Sequence, residues 1–178
     1  MPDYHKFPNV ARRNVMQEYL EVPALARLLH LPRGQRILEV GCGRGIALPA
    51  IKHLCQPEIL VGLDIDDALI AQARAHIEAR QTKAELVVGD VRALPFADAS
   101  FDIVIDFGTC YHIDESETAL CEIERVLSPG GLFVYETPVS QLLSHPTRSP
   151  GRSLPWAAAP NLTWRHSAGL WAARARQA

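Results

Sequence analysis

Apolar residues along the chain occur either in short unbroken runs or at the spacing of a helix face. The short runs predict buried strands, at 36–40, 58–64, 84–90, 100–108 and 132–138. The helically spaced stretches predict helices, at 13–31, 44–54, 67–81 and 115–127. Pro23 makes the first of these one kinked helix or two short ones, whereas Pro49 falls in a first turn, where proline is tolerated. The turn residues 128–131, "SPGG", are expected to end the last helix.

Strands that alternate with helices predict an α/β fold whose mostly parallel sheet is covered on both faces. Ligands in such folds bind outside the carboxyl ends of the strands. Polar residues at the ends of the predicted strands are therefore candidates for a site: Glu39, Asp64, Asp90, Asp106, His112 and Glu136.

Composition narrows the class of protein. The chain has 178 residues, of which 48% are hydrophobic and 21% charged, as expected for a single domain over 1–178. No run of about 18 apolar residues predicts a membrane span, and the N-terminus has no apolar core of a secretory signal. The four cysteines form no C-x-x-C pair, so the sequence predicts reduced thiols, no metal site and a cytoplasmic protein.

Charge divides the chain into an acidic body and a basic tail. Residues 139–178 carry five arginines, no acid and all three tryptophans, whereas residues 1–138 have a net charge of −7. We therefore distinguish an N-terminal helical segment (1–34), a core (35–138) and a tail (139–178) within the one domain.

The stretch "ILEVGCGRG" (37–45) places three glycines at alternate positions after the first predicted strand. Glycine at such a turn lets backbone N–H groups approach a ligand closely. The dinucleotide fingerprint G-x-G-x-x-G is not matched, because Ile46 occupies its last position, and the Lys-Ser/Thr of a Walker loop is absent. Pyrophosphate and triphosphate ligands therefore fit this loop poorly.

The glycine stretch resembles the first motif of class I S-adenosylmethionine-dependent methyltransferases of the type 11 kind. Three further stretches resemble the later motifs of that family in order and spacing: "VGLDIDDALIAQAR" (61–74), "VVGDVRALPFADASFDIVI" (87–105) and "EIERVLSPGGLFVYETP" (122–138). The resemblance covers roughly residues 35–138 and implies a three-layer Rossmann-like sandwich. It also implies S-adenosyl-L-methionine as cofactor, with S-adenosyl-L-homocysteine as product.

The resemblance assigns the methionine end of that cofactor to the first and fourth strands. Glu39 would orient the methionine moiety and offset its positive charge, and Asp106 would line the same end. Arg44 would reach the methionine carboxylate or remain a solvated loop residue. The loop itself would contribute Gly41, Cys42, Gly43 and Gly45.

The resemblance assigns the adenosine end to the second and third strands. Asp64 would accept hydrogen bonds from both ribose hydroxyls, and Ile65 would pack on the adenine face. Asp90 would accept from the adenine amino group, with the Val91 N–H facing the ring, and Leu94 and Phe96 would complete the pocket. Asp66 and Asp67 are expected to cap the following helix, and Asp102 to have a structural role.

Methyl transfer to oxygen or nitrogen requires alignment and often a base. In the family the region after the fourth strand borders the methyl group, and here it carries the candidates Tyr111 and His112. His112 could accept a proton near neutral pH, or could simply hydrogen-bond locally at a helix start. The predicted acceptor is a small molecule, through O or N in preference to C. Nucleic acid and membrane partners are not expected, because the protein is acidic overall and carries no recognised nucleic-acid module.

The tail matches the family least. Residues 168–176 predict an antiparallel last strand, while the strand before it is expected to be short or missing, which would leave a shortened C-terminal part. Residues 144–166 would be a loop, either a cap over the site or an ordinary connection. The N-terminal segment would be a lid over the cofactor or a packing helix.

Other functions remain open from the sequence. The short tail is compatible with a non-catalytic S-adenosylmethionine-binding or regulatory module, and an RNA or protein methyltransferase is a weaker alternative. A nicotinamide-dependent oxidoreductase is disfavoured by the glycine spacing.

Overall fold

The chain forms a seven-stranded sheet with helices on both faces. The computed structural model describes residues 10–110, 112–136 and 158–159, and the backbone of 162–167 and 170–175. The strands are β1 (Arg36–Val40), β2 (Ile59–Asp64), β3 (Glu85–Val88), β4 (Phe101–Asp106), β5 (Leu127–Glu136), β6 (Leu162–Ser167) and β7 (Leu170–Ala175). The helices are α1 (Val10–Met16), α2 (Val22–Leu28), α3 (Leu48–Cys55), α4 (Asp67–Ala79) and α5 (Ser116–Val126).

The strand order is β3-β2-β1-β4-β5-β7-β6. The first five strands run parallel, and β7 pairs antiparallel with both β5 and β6. The predicted α/β fold and its antiparallel last strand are therefore confirmed. The expectation of a short or missing preceding strand is wrong, because β6 pairs with β7 along six residues and 162–166 belongs to this hairpin instead of a loop.

The sheet separates two apolar clusters, because successive side chains of a strand point to opposite faces. Leu38 lies on the face covered by α5, and its neighbour Ile37 lies on the face covered by α2, α3 and α4. The stripe expected on α5 is buried in full: Leu120, Ile123, Val126 and Leu127. Each such side chain contributes roughly 1.5–3 kcal/mol on burial, so this stripe fixes the helix against the sheet.

The "SPGG" turn residues do not separate α5 from β5. The helix ends at Val126 and the strand begins at Leu127, which pairs with Phe101 of β4. The next pairing joins Ile103 to Leu132, so the turn residues bulge out of β5. The turn residues predicted from the sequence therefore lie inside β5 and do not end α5.

The predicted N-terminal helix is unbroken along the chain, but it changes from α-helical to π-helical and back. A π-helical turn, Gln17–Glu21, joins α1 to α2, and Pro23 occupies the first turn of α2. Within the described ranges, no helix is both long and apolar enough to cross a membrane.

An ion pair fastens the amino ends of β1 and β4. The Arg36 guanidinium donates to both carboxylate oxygens of Asp102, at 3.1 and 2.7 Å, and to the Ser128 hydroxyl at 2.7 Å. This pairing lowers the pKa of Asp102 to about 2. Asp102 therefore has the structural role expected of it, at the sheet edge opposite to the candidate site.

Candidate functional site

The three glycines between β1 and α3 all have positive φ. A side chain added at each of them would meet different surroundings. A Cβ at Gly41 would lie 1.7 Å from the Thr109 hydroxyl oxygen, so this glycine lets the loop after β4 approach. A Cβ at Gly45 would lie 3.0 Å from Ala73 Cβ on α4. A Cβ at Gly43 would meet no described atom within 4 Å, so this position faces open space. Gly43 is thus the glycine whose missing side chain leaves room for a ligand.

Glu39 is the last residue but one of β1, just before this loop, and is 1% exposed. Its Oε2 has no hydrogen-bond partner among the residues that the structure describes. Burial raises the pKa of Glu39 to about 8; the charge of Arg13 opposes this rise, and Asp64 and Asp106 add to it. A buried carboxylate without a partner is costly unless a cation or donor comes to it, so the site favours a positively charged ligand.

Asp64 ends β2 and holds the glycine loop. Its carboxylate accepts the Gly43 N–H at 2.8 Å and the Asp66 N–H at 3.0 Å. Burial raises its pKa and outweighs these two backbone donors. The following residue, Ile65, is 62% exposed, an unusual position for a large apolar side chain at a strand end. A carboxylate beside an exposed apolar surface suits a hydroxylated sugar next to a flat ring.

The cap of α4 is Asp66. Its Oδ1 accepts the N–H groups of Ala68 and Leu69, at 2.9 and 3.3 Å. Asp67 is the first residue of the helix. Of the two residues expected to cap, Asp66 makes the capping bonds because it alone stands at the position whose side chain reaches the first turn.

Asp90, after β3, already has a partner within the chain. It accepts from the backbone N–H of Arg92 and from the Nε and Nη2 of the same arginine, at 2.9, 3.0 and 2.6 Å. The hydrogen bonds from Arg92 lower the pKa of Asp90. The Nε lies 3.0 Å from both carboxylate oxygens, so Arg92 makes four contacts with Asp90. A carboxylate has about four acceptor positions, so a ligand donor would have to share or displace one of these contacts. Val91 is buried, and the pairing to Arg92 was not anticipated from the sequence.

Asp106 organises the loop after β4. Its buried carboxylate accepts the backbone N–H groups of Gly108, Thr109 and Cys110, at 2.8, 2.5 and 3.0 Å. These three bonds fix a tight turn that places Thr109 against Gly41. Asp106 therefore acts on this site through the loop backbone, and its predicted contact with the methionine end stays a prediction.

His112, one of the two catalytic candidates, lies just beyond this turn. Its N–H donates to the Thr109 carbonyl at 3.0 Å, and its side chain is half-buried. This backbone bond does not decide between the local and the chemical role, and both stay predictions. Tyr111 lies outside the described residues.

Two other loop residues face the protein. Cys42 is buried, its N–H donates to Leu63 O at 2.9 Å, and burial raises the pKa of its thiol, so it is a small filler and not a nucleophile. Arg44 donates to Gln72 on α4 at 2.8 Å. The alternative in which Arg44 reaches the methionine carboxylate receives no support from this contact.

The N-terminal helix adds residues that sequence reasoning missed. Gln17, in the π-helical turn, is 3% exposed and accepts a hydrogen bond from Arg13. The charge of Arg13 also acts on Glu39, so this helix reaches the carboxyl edge of the sheet. Glu18 pairs with Arg80 after α4 and anchors the helix from its other side. The sequence carried no signal for Gln17, because its neighbours one turn away on the helix, Arg13 and Glu21, are charged.

These features fit an adenosyl cofactor with a cationic methionine end. Glu39 offers a buried, unsatisfied oxygen for the positive end, and Gly43 leaves open space beside it. Asp64 and Ile65 offer acceptors and an apolar surface for the ribose and the ring. The polar groups of this site are carboxylate acceptors and backbone N–H donors, and among the described residues they form no arrangement for a phosphate.

Comparison with known proteins agrees with this chemistry. The model of the methyltransferase domain family matches residues 38–135. A probable S-adenosylmethionine-dependent methyltransferase from Mycolicibacterium smegmatis is 34% identical over 83% of this chain and 53% of its own length. A 24-methylenesterol C-methyltransferase 2 from Oryza sativa is 36% identical over 63% of this chain and 31% of its own length. A fatty-acid O-methyltransferase from M. smegmatis is 37% identical over 57% of this chain and 36% of its own length.

A solved structure supports the fold. The PH0226 protein from Pyrococcus horikoshii superposes with a TM-score of 0.71 at 23% identity, over 99% of this chain and 96% of that one. The chain spans about a third to a half of the length of the curated relatives above. The family model covers more than half of the chain, and the sheet has the form that the motifs imply. The chain therefore belongs to the class I S-adenosylmethionine-dependent methyltransferases, in the methyltransferase domain family.

Proposed function

We propose that this protein transfers the methyl group of S-adenosylmethionine to an oxygen atom of a small apolar molecule. The observation that carries the proposal is the unpartnered, buried oxygen of Glu39 beside the open face of Gly43. When bound, the cofactor supplies a methyl group on a sulfonium, a leaving group that needs no further activation. The protein contributes binding, alignment and the exclusion of water.

The proposed cofactor contacts follow the two halves of the site. Glu39 receives the positive methionine end, beside the backbone of Gly41, Cys42, Gly43 and Gly45. Asp64 receives the ribose hydroxyls, and Ile65 covers one face of the adenine. Asp90 and the Val91 N–H read the edge of the adenine. Asp106 positions the loop that closes the methionine end.

The proposed acceptor class rests on the names of the relatives. One of them methylates a fatty-acid oxygen and another a sterol carbon, and both acceptors are apolar small molecules. An oxygen acceptor suits this chain because His112, directly after the ordered turn at Thr109, can accept the proton that a hydroxyl loses. Tyr111, the other candidate, would contact the acceptor beside it.

The proposal is tested by methyl transfer from S-adenosylmethionine carrying a deuterated methyl group. The protein is incubated with a long-chain fatty acid, a sterol, a phenol, transfer RNA and a protein extract, and products are identified by mass spectrometry. A labelled ester or ether supports the proposal, and a labelled sterol ring or side chain would move the acceptor to carbon. Label confined to RNA or protein would overturn the small-molecule assignment.

A non-catalytic cofactor-binding module was suggested by the short tail. That alternative depended on a missing strand, and the strand is present as β6, paired with β7. The same experiment separates the two functions: binding of S-adenosylmethionine by calorimetry, with no labelled product from any acceptor, would favour the module.

A further inference from the structure

A single arginine on α5 holds the segment that follows β3. Arg125 Nη2 donates to the Leu94 carbonyl at 3.0 Å, and Nη1 donates to the Phe96 carbonyl at 2.8 Å. Nη1 also donates to Asp98 Oδ1 at 2.8 Å. The remaining bonds go to Glu122, from Nε at 2.8 Å and from Nη2 at 2.7 Å. All five N–H groups of the guanidinium are therefore used within the chain.

Glu122 completes the arrangement from one turn earlier on α5. Its Oε2 accepts the Leu94 N–H at 2.8 Å, so both backbone groups of Leu94 bond to the Glu122–Arg125 pair. The Arg125 main-chain carbonyl accepts the Ala99 N–H at 3.0 Å. One turn of α5 thus fixes the backbone of residues 94–99. No local sequence pattern links that segment to the helix.

The held segment forms one wall of the proposed adenine site. Leu94 is 4% exposed and lies in the same apolar cluster as Val91 and Ile123. Phe96 packs edge-on against Phe101, with ring centroids 5.0 Å apart. The inner side chains of this wall are therefore fixed by the core, while its backbone is fixed by Arg125.

A second ion pair joins the residues just before this wall to the start of α5. Arg92, which holds Asp90, also reaches Glu115 Oε2 at 3.3 Å, and Glu115 is the residue before the helix. α5 thus contacts the wall at both of its ends. Asp90, the residue proposed to read the adenine amino group, is bonded to Arg92 and is thereby joined to the first residue of this pair.

We propose that Arg125 is a positioning residue for adenine recognition: without contacting the cofactor, it sets the affinity and base selectivity of the site through the backbone of residues 94–99. This inference rests on the proposed placement of adenine beside Asp90 and Val91. A guanidinium is required because its planar fork bonds to separate carbonyls in fixed directions, whereas an ammonium is a single point charge. The pair with Glu122 and Asp98 orients that fork.

The matched control is Arg36, at the opposite edge of the sheet. Arg36 makes a two-pronged pair with Asp102, as Arg125 does with Glu122, and the two arginine side chains are similarly exposed, 34% and 31%. Arg36→Gln and Arg125→Gln therefore remove comparable ion pairs from one fold. A purely structural role for Arg125 predicts the same result from both variants.

The test measures binding by calorimetry, with thermal unfolding recorded for each variant. The probes are S-adenosylhomocysteine and S-inosylhomocysteine, which differ on the base edge that Asp90 and the Val91 N–H are proposed to read. In the inosyl compound a carbonyl replaces the 6-amino group, and N1 becomes a hydrogen-bond donor. Arg125→Gln is expected to raise the Kd for S-adenosylhomocysteine at least tenfold and to reduce the preference for adenine over hypoxanthine. Arg36→Gln is expected to lower the thermal midpoint, leaving both Kd values within twofold of wild type.

Arg125→Lys keeps the charge and much of the volume, and is the second variant if Arg125→Gln does not fold. It is expected to show the same loss of base selectivity. Unchanged Kd values and an unchanged adenine preference in a folded Arg125 variant would overturn the inference. Failure of the wild-type protein to bind S-adenosylhomocysteine would instead overturn the proposed cofactor site.

Discussion

The Gly43 N–H donates to Asp64 Oδ2 at 2.8 Å, and this bond joins the glycine loop after β1 to the end of β2. The same carboxylate accepts from Asp66, which caps α4. Asp64 therefore holds three elements in one arrangement before any ligand is present. A ribose diol bound there would find its acceptor already oriented.

Asp64→Ala is expected to weaken binding of S-adenosylhomocysteine by at least tenfold. Each hydrogen bond from a hydroxyl to a carboxylate contributes about 1.5–3 kcal/mol, and two would be lost. Calorimetry gives the Kd. Asp67→Asn is the control, since Asp67 is an exposed carboxylate three residues away, and an equal loss in that variant would contradict the assignment of Asp64.

Gly41→Ala is expected to destabilise the fold. The added methyl would overlap the Thr109 hydroxyl at 1.7 Å, and the residue has a φ of 64°. Overpacking and the left-handed backbone together cost about 2–4 kcal/mol, or roughly 5–15 °C in thermal midpoint for a domain of this size. Differential scanning fluorimetry without ligand measures this change.

Gly43→Ala is expected to give the opposite pattern. Its φ of 54° adds strain of about 1–2 kcal/mol, but the methyl group meets no described atom within 4 Å. The variant should fold with a modest decrease in midpoint and lose S-adenosylhomocysteine binding at least tenfold. Tight binding by Gly43→Ala would show that the open face of the loop does not receive the cofactor.

Glu39 is expected to make the stability of the ligand-free protein depend on pH. Its pKa of about 8 in the folded state lies above the ordinary value of 4.5, so between these values the folded chain keeps a proton that the unfolded chain releases. Stability contributed by Glu39 is therefore present below pH 4.5 and lost as pH rises to about 8, by on the order of 4 kcal/mol. Thermal midpoints from pH 5 to 8 should fall for wild type and fall less for Glu39→Gln.

Cofactor binding should show the reverse dependence on pH. The cationic methionine end favours the ionised form of Glu39, so the affinity for S-adenosylmethionine should rise over the same pH interval. Calorimetry in buffers of different ionisation enthalpy should detect proton release on binding by wild type and not by Glu39→Gln. An affinity independent of pH would show that Glu39 does not face the methionine end.

His112→Ala is expected to lower kcat about 10²- to 10⁴-fold while leaving the affinity for S-adenosylhomocysteine unchanged. The reason is that a proton acceptor acts on the methyl acceptor and not on the cofactor. The assay uses whichever acceptor is labelled in the deuterated-methyl experiment. His53→Ala, on the exposed side of α3, is the control. A kcat that stays within twofold of wild type would remove His112 from the chemistry.

The sequence was informative wherever local pattern decides structure. Four of the five parallel strands appear within two residues of their predicted bounds, and three of these, β1, β2 and β4, are apolar runs that the sheet buries. The fifth, β5, begins five residues before its predicted start. The cap of α4 and the first-turn Pro49 follow from rules that act within one helical turn. These elements placed Glu39, Asp64 and Asp90 at one edge of the sheet.

The sequence was uninformative where distant contacts decide. Thr109 lies against Gly41 although 68 residues separate them, and Arg125 bonds to Leu94 from 31 residues away. Neither relationship leaves a period or a motif in the chain. The strand β6 was expected to be short or missing because Arg165, His166 and Ser167 interrupt its apolar pattern, and pairing with β7 overrides that weak local pattern.

The direct passage from α5 into β5 at Leu127 has a consequence for how a cofactor enters and leaves. Because α5 continues without a linker into β5, residues 94–99, which form the proposed adenine wall, are not expected to move outward unless the sheet itself is disturbed. The N-terminal helix, interrupted by its π-helical turn, has no such continuity with the sheet. We therefore expect product to leave and fresh cofactor to enter by movement of the N-terminal helix, while residues 94–99 stay in place.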